Sequence, residues 1–289
     1  MKHTGRLRSK GGLGRIGILL VGGMALWTSL HAFQLPFREY SAIEYSNFPL
    51  PVDYQERTEF VFARLMYPPA PSARFDRSRR RGGFSTWAEG NSSWTQDYPR
   101  ADRHFLTALR RLTRLHTRSV EQPVNLDDGD DVFNWPFLYA VRPGEWQLTE
   151  KQAARFREFF DRGGFFMTDD FWGSFEWDVF MQSMGQVLPG KIPVDLDNSE
   201  SIFHTLYDLN DRYQIPGNWG LYGRGYQNDG DTPYWRGIHD EKGRVIAAII
   251  PNSDLGDSWE YADAPHYPEK YSALGIRIGV NYIVYAMTH

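Results

Sequence analysis

Apolar residues along this chain fall into two alternating patterns. Continuous runs at 60–67 (FVFARLMY, stopped by Pro68 and Pro69), 133–141, 165–169 and 245–250 predict strands covered on both faces. Between them the spacing turns helical. Phe105, Leu106, Leu109 and Leu112 mark one face of a helix over 99–115, with Pro99 suited to its first position. Thr149-Glu150-Lys151-Gln152 is a capping box, Ala153, Phe156, Phe159 and Phe160 follow at helical spacing, and Gly163 stands where that helix should stop. Further helices are predicted over 175–184 and 271–287. Residues 186–243 scatter Pro, Gly, Asn and aromatics, and read as an irregular, β-rich insertion. Strands alternating with helices predict βαβ units, hence a three-layer, doubly wound, mostly parallel α/β sheet.

The N-terminus has a different character. Lys2, Arg6, Arg8, Lys10 and Arg15 precede an apolar run over 16–30 with no acid among them. That order predicts export, with residues 1–35 acting as a signal peptide or, uncleaved, as a membrane anchor. The run is short against the roughly 20 residues that a span usually needs, and Leu30 makes a poor cleavage position. The domain is thus expected outside the cytoplasm, periplasmic or tethered to the inner membrane with the positive flank inside. Residues 36–58, polar and Pro-containing, read as a linker to a domain over 59–289.

Composition then narrows the chemistry. Of 289 residues 41% are hydrophobic and 24% charged, as in folded globular proteins. The chain has no cysteine, which removes disulfides, thiolate metal sites and every cysteine nucleophile. Its net charge of −4 becomes −9 once the five positive charges of the leader are taken away, a balance that speaks against nucleic acid as a partner. Ten tryptophans make exposed stacking surfaces plausible. Gly12-Leu13-Gly14-Arg15-Ile16-Gly17 copies a dinucleotide fingerprint, but no strand precedes it and it lies in the leader. No P-loop, G-x-S-x-G or H-E-x-x-H occurs.

Ligands of open parallel sheets sit outside the carboxyl ends of the strands. That rule selects Asp169 and Asp170, then Asn252 and Asp254 with Ser253, Asp257, Ser258 and Glu260, and Trp94 and Asp97 before the first helix. Asp169, Asp170 and Asp254 are the candidate reacting groups, as general bases, sugar-hydroxyl acceptors or helix caps. No resident metal or other cofactor is assigned, although these oxygens have the hardness for a cation. Asp127, Asp128, Asp130 and Asp131 lack calcium-loop spacing and read as a solvated turn. Arg74, Arg77, Arg79, Arg80 and Arg81 form either an anion clamp or a solvated loop. Arg224, between Gly223 and Gly225, sits in a loop shaped to hold it over a ligand or in an ion pair.

Several of these segments carry a family likeness. Phe62-Ala63-Arg64-Leu65-Met66-Tyr67, Trp94-Thr95-Gln96-Asp97-Tyr98-Pro99, the run from Gly163 through Asp169-Asp170-Phe171-Trp172-Gly173, Leu221-Tyr222-Gly223-Arg224-Gly225, Asn252-Ser253-Asp254-Leu255-Gly256-Asp257 and Gly279-Val280-Asn281-Tyr282 resemble the domain-of-unknown-function family 4159, in order over about residues 58–289. The resemblance implies a branch of the class I glutamine amidotransferase-like, flavodoxin-like fold, in bacterial proteins that often carry export signals. It brings no established activity. Active enzymes of that wider fold use a cysteine at a strand–helix elbow, which this chain lacks.

The expected function is therefore binding of a polar ligand, such as a glycan, or of another envelope protein, with Trp94 and Trp172 as stacking rings and Asp97, Asp169, Asp170, Arg224, Asn252, Asp254 and Asp257 around them. The alternative is a carboxylate- or metal-dependent hydrolase pairing Asp169 or Asp170 with Asp254 or Asp257.

Overall fold

A computed structural model of the protein describes Met1, residues 34–74 and residues 87–289. The chain divides into two compact units, Met1–Pro36 and Phe37–His289. Most of the expected signal or anchor, residues 2–33, lies outside the described residues, as do Arg77, Arg79, Arg80 and Arg81. Among the described residues no helix is long and apolar enough to cross a membrane.

The second unit is built on a seven-stranded mixed sheet. Its strands are β1 (Ala63–Met66), β2 (Gln122–Asn125), β3 (Phe137–Val141), β4 (Phe165–Asp169), β5 (Val194–Asp195), β6 (Arg236–His239) and β7 (Val245–Ile249), in the order β2-β1-β3-β4-β7-β6-β5. The first five of that order run parallel, and β6 pairs antiparallel with both β7 and β5. Among the described residues five α-helices accompany them: α1 (Arg100–Leu112), α2 (Glu150–Asp161), α3 (Gly173–Val187), α4 (Leu255–Glu260) and α5 (Glu269–Thr288).

Strand alternation divides the core in two. Phe62, Phe137, Tyr139, Phe165 and Met167 face one side and pack with Phe105 of α1, Trp259 of α4 and Ile278 of α5. Ala63, Leu65, Leu138, Ala140, Phe166 and Ile246 face the other and meet Phe156 and Phe159 of α2 and Phe180 of α3. Helices therefore cover both faces, which is why these strands read as unbroken apolar runs.

The α/β expectation holds, with differences that have local causes. The capping box on α2 forms as expected, Thr149 accepting from Gln152 N at 3.2 Å and Gln152 Oε1 accepting from Thr149 N at 3.0 Å. The strand expected over 133–141 begins only at Phe137, because Asp131–Asn134 coil into a 3-10 turn and Pro136 lacks the N–H that a ladder needs. β2 was not anticipated. Its sequence, QPVN, is polar and holds Pro123, which an edge strand tolerates. The 186–243 segment is irregular as expected but poor in strand, contributing only β5 and β6. Residues 37–58, read as a linker, lie against the domain: Ile43 is buried and Tyr40 N donates to the Tyr98 hydroxyl at 3.1 Å.

One charged side chain inside this core positions the site. Arg64 on β1 is fully buried, and its Nε and Nη2 each donate to a carboxylate oxygen of Asp102 on α1 at 2.8 Å. Its Nη1 donates to the carbonyls of Trp94 (2.9 Å) and Gln96 (3.1 Å). The fork thus pins both α1 and the turn that delivers Asp97 to the sheet edge. Burial works against the guanidinium charge, but Asp102 beside it more than offsets that and holds the pKa above the usual arginine value. Arg64→Ala strands the Asp102 carboxylate in a dry core, so unfolding free energy should drop by about 3–5 kcal/mol in denaturant titrations. A loss under about 1 kcal/mol would show that the fork is not needed to hold this region.

Candidate functional site

The carboxyl edge of the parallel strands gathers several turns that ordinary residues rarely adopt. Arg142 after β3, Asp170 after β4, Asn252 after β7 and Asp97 ahead of α1 all take positive φ, at 49°, 51°, 61° and 61°. Non-glycine residues in this region are uncommon and cluster where a site over-determines the backbone. The β4 and β7 turns are joined directly, Asp170 N donating to Ser253 O and Asn252 N to Phe171 O, each at 2.9 Å. The expectation that 169–170 and 252–254 leave neighbouring parallel strands at one rim is thereby met.

The two aspartates of β4 are nonetheless engaged in holding that rim together. Asp169 accepts from the Tyr139 hydroxyl at 2.6 Å and from the backbone N–H groups of Leu255 (2.5 Å) and Gly256 (3.0 Å), so it ties β4 to the start of α4. Asp170 accepts from Trp172 Nε1 at 2.7 Å and from Arg142 at 3.1 Å, and Arg142 also pairs with Glu145 at 3.0 Å. Asn252 spends its amide on Gly173 N and Thr232 O, at 2.8 and 2.7 Å.

A second set of carboxylates lies one step further along. Asp97, Asp254 and Asp257 each point an oxygen into one buried spot, the three atoms within 4.8 Å of one another. Asp254 caps α4, accepting from Asp257 N at 2.7 Å, which places Asp257 one turn along on the same side. Asn218 N donates to Asp257 at 2.5 Å. Two glycines make the approach possible. A Cβ at Gly217 would stand 2.6 Å from Asp254 Oδ2, and one at Gly256 2.1 Å from Asp97 Oδ2. Asp97 Oδ2 is buried and has no hydrogen-bond partner.

Glu44 and Glu260 form a second acidic group around the same Asp97. Glu44 accepts from Asp97 N at 2.9 Å, and Glu260 accepts from the Tyr45 hydroxyl. A cavity of about 440 Å³ is lined by residues 39–42 and 45–48, with Tyr40, Tyr45, Phe48 and Pro99 in its walls.

Electrostatics follow from this crowding. Burial is the first cause and neighbouring carboxylates the next in raising Asp97 and Asp254 well above the usual carboxylate range. Burial likewise lifts Asp257 to about 6, Asp169 to about 7 and Glu260 to about 9, in the last case with help from Asp257 and Glu44. Carboxylates so arranged can share protons as acids and bases or surround a cation through oxygen.

Several expected site residues are placed otherwise. Trp94 and Trp172 are fully buried, with Nε1 donating to Trp87 O and to Asp170 respectively, so neither ring can stack on a ligand. Bulky aromatics between polar turns looked exposed in sequence, and the core claimed them instead. Arg224 is exposed but makes its contacts within its own loop, 3.4 Å from Asn228 O and over the Tyr226 ring. Arg74 reaches Asn228 Oδ1 at 2.9 Å and lies 3.6 Å from Glu176. The acidic run at 127–131 is a turn as expected, except that Asp131 is buried and accepts from Trp135 Nε1. Glu44 was missed because its segment read as a linker. The outward-facing rings, Trp219 and Tyr222, were missed inside the irregular insertion.

What these elements define is an α/β domain with a mixed sheet and a carboxyl edge built from buried acids. The chain belongs to the family described as domain of unknown function (DUF4159), whose model matches residues 84–287. The match takes in α1 through α5 and the acids of 97 and 254–260, and leaves out β1 with Arg64. A comparison with curated proteins finds no match.

An acid whose pKa is higher in the fold than in the unfolded chain takes up a proton on folding, so its contribution to stability is lost as pH rises. In chelator-treated protein the melting midpoint should therefore fall as pH climbs from the ordinary carboxylate range of about 4 toward the raised values, about 6 for Asp257, 7 for Asp169 and 9 for Glu260. Asp254→Asn keeps a capping side chain and removes one of the repelling charges. It should raise the midpoint near pH 8 and change it little near pH 5. A wild-type midpoint that climbs over this range, or an Asn variant weaker at both pH values, would contradict the assignment.

Proposed function

We propose that the protein is an exported ligand-binding domain of the cell envelope that holds a polar ligand of glycan type on a pair of aromatic rings at the acidic edge. The observation that carries this is the exposure of Trp219 and Tyr222, 87% and 76%, within one 3-10 turn (Asn218–Tyr222). Residues three apart in such a turn eclipse one another, so both rings belong to one face. Exposed large aromatics of this kind suit the apolar faces of sugars. The turn is not a free loop, because Asn218, its first residue, is held by Asp257 through its N–H and by His266 at 2.9 Å through its side chain. The expected stacking role thus passes from Trp94 and Trp172 to Trp219 and Tyr222.

Export rests on the leader alone, which acts as a cleaved signal or as an inner-membrane anchor with the domain outside. The fold fits a branch of the class I glutamine amidotransferase-like architecture, supported by the five parallel strands and by a left-handed turn at Arg142 after β3, the middle one of those five. With no cysteine in the chain that elbow carries no thiol nucleophile. A second reading, hydrolysis by carboxylates, is favoured by one observation, the convergence of Asp97, Asp254 and Asp257. The partner is then a polar small molecule, a glycan or the surface of another envelope protein.

Full-length protein and its Trp219→Ala and Tyr222→Ala variants should be compared on a panel of soluble envelope glycans by calorimetry. Each variant should lose roughly 2- to 10-fold in affinity, the scale of a ring contact worth 0.5–1.5 kcal/mol, with an unchanged melting midpoint. Equal affinity in wild type and both variants would end the stacking reading. Release of sugar fragments by wild type but not by Asp254→Asn would move the assignment to hydrolysis.

A further inference from the structure

We propose that Asp97, Asp254 and Asp257 form a binding site for one hard divalent cation, calcium by preference, beside a second acidic group in which Glu44 and Glu260 share Asp97. The geometry comes first. Two oxygens on opposite sides of a calcium ion, each at about 2.4 Å, are about 4.8 Å apart. The three carboxylates meet that limit, every ligand atom lying within 4.8 Å of the other two. All are carboxylate oxygens, and the chain has no cysteine to offer, so the donor set is hard and suits calcium or magnesium over zinc.

The second observation is independent of the acidity. Asp97 Oδ2 is buried, borders the Gly256 position together with Asp254 Oδ1, and has no hydrogen-bond partner among the described residues. A buried carboxylate oxygen left unsatisfied costs free energy unless a proton or a cation meets it. Its backbone is also held in the left-handed region at φ 61°. The glycines at 217 and 256 keep methyl groups out of this spot, where a Cβ would collide with Asp254 Oδ2 or Asp97 Oδ2. Two elements distant in sequence, the turn before α1 and the first turn of α4, thus bring three carboxylates together. Calcium is favoured over magnesium because it accepts irregular, carboxylate-rich shells, whereas magnesium demands near-ideal octahedral geometry and retains waters.

The site also reaches the proposed ligand platform. Asp257 holds Asn218, from which Trp219 and Tyr222 follow. A cation fixing Asp257 would therefore fix the turn that presents both rings. The cation site itself does not rest on the glycan reading.

The test uses the full-length chain, freed of metal with chelator and titrated with calcium chloride and, separately, magnesium chloride in a calorimeter. Terbium luminescence, excited through nearby rings, reports occupancy directly. Expected results are one saturable calcium site per chain, an upward shift in melting midpoint that grows with calcium concentration, and at least a 10-fold weakening in Asp254→Asn and in Asp97→Asn. Asp127→Asn, in the acidic turn after β2, should bind like wild type. No saturable calcium binding would overturn the proposal, as would wild-type affinity in both site variants. Magnesium binding as tight as calcium would overturn the calcium preference. Calcium binding without any glycan binding would leave the cation site standing and remove the ligand function. Glycan binding by a protein that takes up no calcium would do the reverse.

Discussion

The fork of Arg64 is the interaction on which the rest of this edge depends. A guanidinium buried between β1 and α1 is stabilised there by four hydrogen bonds, two to Asp102 and one each to the carbonyls of residues 94 and 96. Those carbonyls belong to the segment that turns through Asp97. The same contact therefore stabilises the fold and aims a carboxylate at α4. A lysine could not repeat it, having a single point charge where a planar fork meets two directions at once.

The second constraint acts against the first. Asp97, Asp254, Asp257 and Glu260 are driven together by packing, and their charges oppose the arrangement. Each is anchored by a bond to backbone or to a neighbour, so none can swing away cheaply. Asp254 is a helix cap, Asp257 holds Asn218, Glu260 meets Tyr45, and Glu44 closes on the amide of Asp97. By contrast, Asp169 and Asp170 stand at the same rim with their oxygens met by N–H, hydroxyl and guanidinium donors. The difference is that in the acidic group Asp97 Oδ2 has no hydrogen-bond partner among the described residues.

Much of the frame was legible from periodicity. β4, α2 and β7 follow from unbroken apolar runs and a capping box, because burial on both faces and satisfied helix ends leave a direct mark on sequence. Strand ends then located the rim, and Asp97, Asp254 and Asp257 with it. What could not be read was which polar residue would be neutralised by a partner. Asp169 loses its freedom to Leu255 and Gly256, 86 and 87 positions away, and no local pattern encodes such a bond. Trp94 and Trp172 illustrate the converse problem, since an aromatic beside acids reads alike whether its ring faces water or the core. Glu44 escaped because a polar, Pro-containing strap looks the same as a linker until its side chains find the surface they cover.

The rings that do face solvent follow from the same physics. Trp219 and Tyr222 lie in a segment with few strands, within one short 3-10 turn, and both are exposed. Its anchor is the backbone N–H of Asn218 on Asp257, a carboxylate whose charge its neighbours oppose. A hydrogen bond to an ionised acceptor is stronger than one to a neutral carboxyl. Whatever stabilises the charge on Asp257 therefore tightens the turn, and whatever neutralises it loosens the turn. The acidic edge and the aromatic face are for that reason mechanically coupled through the backbone amide of Asn218.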